Sequence, residues 1–99
     1  MRKLNGSDRK YLRSLAHHLK PFVLVGKEGV TDRLVATIMR TFEKHELIKI
    51  KFLEFKREKE ILAAEIARRS ESQEVGTLGH VITFYRENPE EEKRNIQLP

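Results

Sequence analysis

The stretch Val23–Val35, VLVGKEGVTDRLV, decides how the rest of the chain is read. With Phe22 before it, the apolar run up to Val25 is long enough for one buried strand. The run stops at Gly26, and a second glycine follows at Gly29. Thr31 then suits a helix cap, with Asp32 in the first turn. Leu34, Val35, Ile38, Met39 and Phe42 repeat at helical spacing up to Lys44–His45, and Arg33, Arg40 and Lys44 take the outer side. The unit is strand, glycine-flanked turn, helix. A plain turn is its simplest explanation. The other is an anion site, because backbone N–H groups free of a Cβ, ahead of a helix N-terminus, form a concave nest for a phosphate. Lys27 lies within reach of the same phosphate. Glu28 and Asp32 count against it, since their carboxylates compete for those donors. As a bare pattern, G-x-x-G is weak.

Upstream, Ser7 suits an N-cap, and Tyr11, Leu12, Leu15, Ala16 and Leu19 mark an amphipathic helix over Asp8–Leu19 that Pro21 ends. Arg9, Lys10, Arg13, His17 and Lys20 share its other side with no acidic residue after Asp8. Downstream, Ile48–Phe52 (IKIKF) alternates strictly and predicts a strand that can extend to Phe55, with Lys49 and Lys51 facing away from Ile48, Ile50 and Phe52. A charged entry leads to a third helix, Lys59–Arg69. Val75–Leu78 and Val81–Arg86 are two strands joined by Gly79-His80 in a tight hairpin turn. Phe84 reads as core, and Tyr85, on the alternate face, as a platform on which a base can stack. The predicted fold is α/β, in the order α-β-α-β-α-β-β: three helices packed on a four-stranded mixed sheet, with both βαβ crossovers right-handed. Leu15, Val23, Leu34, Ile38, Phe42, Ile50, Leu62 and Ile66 are the expected core. Residues 1–86 form the domain. Residues 87–99 form a charged tail, loosely held, with Ile96 and Leu98 able to dock.

At 99 residues the chain suits one domain with a modest core. The net charge of +5 is unevenly spread. Residues 1–33 hold eight basic and three acidic groups, whereas residues 34–99 hold twelve of each. That asymmetry points to a polyanion, nucleic acid first. The chain has no cysteine, so disulfides and thiolate metal sites are excluded. The first residues lack the apolar stretch of a signal peptide, and no run approaches a membrane span, so the cytoplasm is the expected compartment.

Catalytic signals are missing. No serine has His and Asp partners at a recognisable spacing. His17, His18, His45 and His80 fall on different elements, none in a metal-ligand motif. No P-loop or dinucleotide fingerprint occurs. The expectation is a protein that is not an enzyme, with no cofactor, metal, membrane or small-molecule partner.

LRSLAHHLKPFVLVGKEGVTDRLV, HELIKIKF and GHVITFYR, in that order, resemble the CRM domain (chloroplast RNA splicing and ribosome maturation). The similarity is greatest to its stand-alone bacterial YhbY-like branch. It runs from about Leu12 to Arg86, and the closing I-x-L-P is similar too. The resemblance implies a fold like the C-terminal domain of bacterial translation initiation factor three. It implies an RNA-binding module whose Gly26-Lys27-Glu28-Gly29 loop is likened to the backbone-clamping loop of KH domains. Stand-alone members are associated with precursors of the large ribosomal subunit, and organellar relatives with group II intron splicing. Family loops often carry more basic or small residues between the glycines; Glu28 makes this one less cationic. The expected RNA surface is Gly26, Lys27, Glu28 and Gly29, extended by Arg9, Lys10, Arg13, His17 and Lys20 and widened by Lys49 and Lys51, on a monomer. The rival expectations are a DNA-binding nucleoid protein and a domain that docks on an acidic assembly factor.

Overall fold

The computed structural model describes residues 1–99. Helix α1 spans Gly6–Ala16, strand β1 Val23–Val25, α2 Asp32–Lys44, β2 Leu47–Phe52, α3 Lys59–Ser70, β3 Gln73–Leu78 and β4 Val81–Tyr85; a 3-10 turn, Glu91–Lys93, lies in the tail. This is the element order expected from the sequence. The strands form one mixed sheet in the order β1-β2-β4-β3. β1 runs parallel to β2, and β4 is antiparallel to both its neighbours. The α2 and α3 crossovers step the same way across the sheet and leave both helices on one face, so they share one hand.

Period-two alternation sorts the side chains between two cores. On the α2/α3 face, Val23, Val25, Ile48, Ile50, Phe52, Ile82 and Phe84 meet Ile38 and Phe42 of α2 and Ala63 and Ile66 of α3. On the other face, Leu47, Val75 and Tyr85 meet Leu4, Leu12 and Ala16, with Leu19, Ile96 and Leu98 at the margin. Leu34 and Leu62 pack against the first core while half-buried.

Several details differ from expectation. The α1 cap is Asn5 rather than Ser7. The Asn5 side chain accepts from Asp8 N–H at 2.8 Å and the Asp8 carboxylate accepts from Asn5 N–H at 3.0 Å, a reciprocal pair that Ser7 has no partner to form. Asp8 is fully buried and also accepts from Arg2 at 2.7 Å. The helix stops at Ala16, three residues before Leu19. Leu12 and Ala16 face the sheet, which turns Leu15 outward; it is exposed and not part of the core. Phe22 is exposed too, outside β1, and stacks on His45 with ring centroids 4.6 Å apart. β2 ends at Phe52, and Phe55 adopts φ +57°, which ends extended pairing well short of it. Tyr85 is no platform: α1 and the tail cover it completely. Burial, then the nearby Glu46 and Glu87, push its phenol up to about 12.

The tail is held, not loose. The buried Glu46 carboxylate accepts backbone N–H groups from Asn88 at 2.8 Å, Asn95 at 2.7 Å and Ile96 at 3.0 Å. Arg94 Nε donates to Asn88 O at 2.8 Å. No helix is long and apolar enough to cross a membrane.

Candidate nucleic-acid interface

β1 delivers the chain to Gly26 at the end of the sheet, and the turn closes with Gly29 N–H donating to Gly26 O at 3.0 Å. Gly29 has φ +71°, the left-handed region that a glycine adopts without penalty. Thr31 caps α2 as expected, accepting from Leu34 N–H at 3.1 Å. The N–H groups of Lys27 and Glu28 donate to no other backbone group. The turn and the first turns of α2 enclose a shallow cleft of about 330 Å³ whose lining includes Gly26, Lys27, Glu28, Gly29, Thr31 and Arg33. A turn with two unspent amide donors and a helix N-terminus therefore border one concavity, with Lys27 and Arg33 in its lining.

Asp32, a competitor for those donors, is engaged elsewhere. Arg69 of α3 pairs with it and with Glu65 at 3.1 Å. The hydrogen bonds that Arg69 donates to Glu65 and then to Asp32 raise its pKa further, so this clamp is permanently charged. Glu28 forms none of the ion pairs and stays exposed.

The basic side of α1 is not a free stripe opposite the core. Arg9 and Arg13 flank the buried stripe and reach the β3 backbone. Arg9 donates to Glu74 O at 3.3 Å and to Leu4 O at 2.6 Å, and Arg13 donates to Val75 O at 3.4 Å. Gly76 makes this approach feasible: a Cβ there would stand 2.8 Å from Arg13 Cδ. Arg13, His17 and Lys49 line a second cleft of about 320 Å³, floored by Gly76, Thr77 and Thr83. Lys49 is partly tied, its Nζ donating to Leu19 O at 2.8 Å. Lys51 lies two residues on, on the same sheet face, and is exposed. Lys10 and Lys20 are exposed outside both clefts.

The fold thus brings Gly26, Lys27, Glu28 and Gly29 together in one place and Arg13, His17 and Lys49 in another. It leaves Arg9, Lys10 and Lys20 apart. Sequence reasoning missed Arg33 beside the turn. It also missed Lys56 of the β2–α3 connection, Lys59 at the start of α3 and His80 of the β3–β4 hairpin, all near Lys51. The signal of the two lysines was a charged run at a helix entry, indistinguishable in sequence from an ordinary solvated face, and that of His80 only its place in a hairpin turn. No group of three His, Cys, Asp or Glu side chains is placed to hold a metal ion.

The model of the CRS1 / YhbY (CRM) domain matches residues 4–86. The chain belongs to the CRM domain family. A Haemophilus influenzae relative named as an RNA-binding protein is 39% identical over 100 residues, covering 100% of this chain and 98% of the relative. The Bacillus subtilis protein YqeI, named as a probable RNA-binding protein, is 39% identical and covers 97% of this chain and 99% of its own. The solution structure of a Staphylococcus aureus protein superposes with a TM-score of 0.83 at 36% identity, over 98% of this chain and 100% of that one. This CRM domain therefore shares its three helices and mixed sheet with a solved relative.

Proposed function

We propose that the protein is a non-catalytic RNA-binding module that holds the sugar–phosphate backbone of precursor large-subunit ribosomal RNA and assists assembly of that subunit in the cytoplasm, as a monomer. The observation that carries the reading is the Gly26–Gly29 turn. Its residues, two of whose amide donors no backbone carbonyl takes up, line a cleft at the N-terminus of α2 together with Arg33, in a chain whose relatives bear RNA-binding names. Backbone donors grip phosphate without reading bases, so sequence preference must come from RNA shape and from unpaired bases near the clefts. Arg13, His17 and Lys49 supply a second set of contacts, and Lys51 joins the track along β2.

Equilibrium binding to a single-stranded ribosomal RNA fragment over a salt series tests the reading. Lys27→Ala and Arg13→Ala are each expected to weaken binding and to reduce the log–log salt slope by about 0.7. Unchanged affinity and slope in both would remove the surface from the interface. Duplex DNA is the competitor: a preference for DNA at fixed salt favours a nucleoid role. Crosslinking in cells that maps away from large-subunit ribosomal RNA would overturn the assembly role.

A further inference from the structure

Three connections are laced together at the end of the sheet that carries the Gly26–Gly29 turn. Val25 O accepts from Leu53 N–H at 2.9 Å and Glu54 N–H at 3.3 Å, and His80 O accepts from Phe52 N–H at 2.8 Å. The Phe55 ring lies 3.4 Å from where a Cβ on Gly29 would stand, so the 53–58 connection buttresses the turn directly. Lys59, the first residue of α3, reaches back to the β3–β4 hairpin, donating from Nζ to Gly79 O at 2.6 Å. The same ammonium stands 3.4 Å from His80 Nδ1. An ammonium has no acceptor, so Nδ1 accepts and the neutral ring carries its proton on Nε2.

The charged groups that act on His80 are all cationic: Lys59 from α3, Lys56 from the 53–58 connection and Lys51 from β2. Partial desolvation first, and then these three charges, push the imidazole below its ordinary value. None of the three lysines is in an ion pair, although Glu54, Glu58 and Glu60 lie close in sequence. With Lys59 3.4 Å from the ring and Lys51 paired to Val81, the residue after His80, these unneutralised ammonium groups beside a neutral imidazole suit an anion with several oxygens. A phosphodiester placed there would offset part of that positive charge and, in contact with the ring, favour the protonated imidazole.

We propose that Lys51, Lys56, Lys59 and His80 form a second RNA-phosphate site, next to the Gly26–Gly29 turn, at which His80 takes up a proton when the phosphate binds. The inference rests on the RNA-binding reading above and adds to it a location and a pH dependence. Its sign follows from linkage: binding that takes up a proton tightens as pH falls. A rise of about one unit in the His80 pKa on binding corresponds to about tenfold in affinity at the acid end.

The direct test follows the His80 ring resonances of the full chain by NMR from about pH 5 to about pH 8, the span over which histidine titrates. The measurement is made with and without a single-stranded RNA oligonucleotide, and His80→Ala supplies the assignment. RNA is expected to move the His80 titration upward, and wild-type affinity to fall as pH rises more steeply than that of His80→Ala. Lys56→Ala combined with Lys59→Ala is expected to lower the salt slope by about 1.4, two contacts at about 0.7 each. If the chain binds RNA while the His80 titration and the double variant's slope stay unchanged, the second site is overturned and the turn remains. If the wild-type chain binds no RNA, the RNA reading falls and this site with it.

Discussion

Gly26 and Gly29 look equivalent in the sequence and are not equivalent in the fold. Gly29 needs its missing side chain, with φ +71° and the Phe55 ring close by. Gly29→Ala is therefore expected to cost about 1–2 kcal/mol, read as a lower urea midpoint. Gly26 has neither constraint, since a Cβ there meets nothing within 4 Å. Gly26→Ala should leave stability within about 0.5 kcal/mol and still weaken RNA binding, because the added methyl stands where the backbone of the ligand must approach. Equal loss of RNA affinity and stability in Gly26→Ala would reduce the turn to a structural one. Glu28 is the other open residue. Free of ion pairs and flanked by the donors, it is expected to limit how much negative charge the cleft accepts. Glu28→Lys is expected to tighten RNA binding without regard to sequence.

Elements are held by polar devices that period and propensity do not show. Asp8, itself buried, both closes the α1 capping box and pairs with the half-exposed Arg2. Asp8→Ala is expected to cost about 1–2 kcal/mol in denaturant melts, because it opens the capping box and removes the acceptor of Arg2. Glu74, on β3, behaves in the opposite sense. Burial first and Glu60 second raise its carboxyl pKa above 4.5, with Arg9 opposing. A raised folded pKa means that its contribution is fully present below the ordinary value and is lost as pH rises through the folded one. Glu74→Gln should therefore raise the urea midpoint at about pH 7 and have little effect at about pH 4. The gain stays under about 1 kcal/mol because the group is partly solvated. The bulge in β3 between Glu74 and Gly76 has a visible use. It sits where Arg9 and Arg13 reach the β3 carbonyls, and Gly76 gives the Arg13 stem room.

At the scale of the whole molecule, Glu46 joins the tail to the body. Three backbone N–H groups converge on one buried carboxylate, so Glu46→Ala is expected to cost about 2–3 kcal/mol and to free residues 87–99 to hydrogen exchange. Protection of Asn95 and Ile96 unchanged in that variant would show that Ile96 and Leu98 hold the tail by packing alone. The sequence by itself determined the element order, the α2 cap at Thr31, the alternation of β2 and most of the first core, because these follow from local period and cap chemistry. It also located the glycine turn. What only the tertiary structure decided is which flank of α1 meets the sheet, and hence why Leu15 is exposed, Tyr85 is covered and Arg9 and Arg13 are bound to β3. The same holds for the gathering of Lys51, Lys56, Lys59 and His80, which are up to 29 residues apart in the chain. Helical and strand periodicity fix which side chains share a face, but not what that face is packed against. Partner choice is a long-range contact, set by sheet order and by the buried carboxylates that anchor the ends.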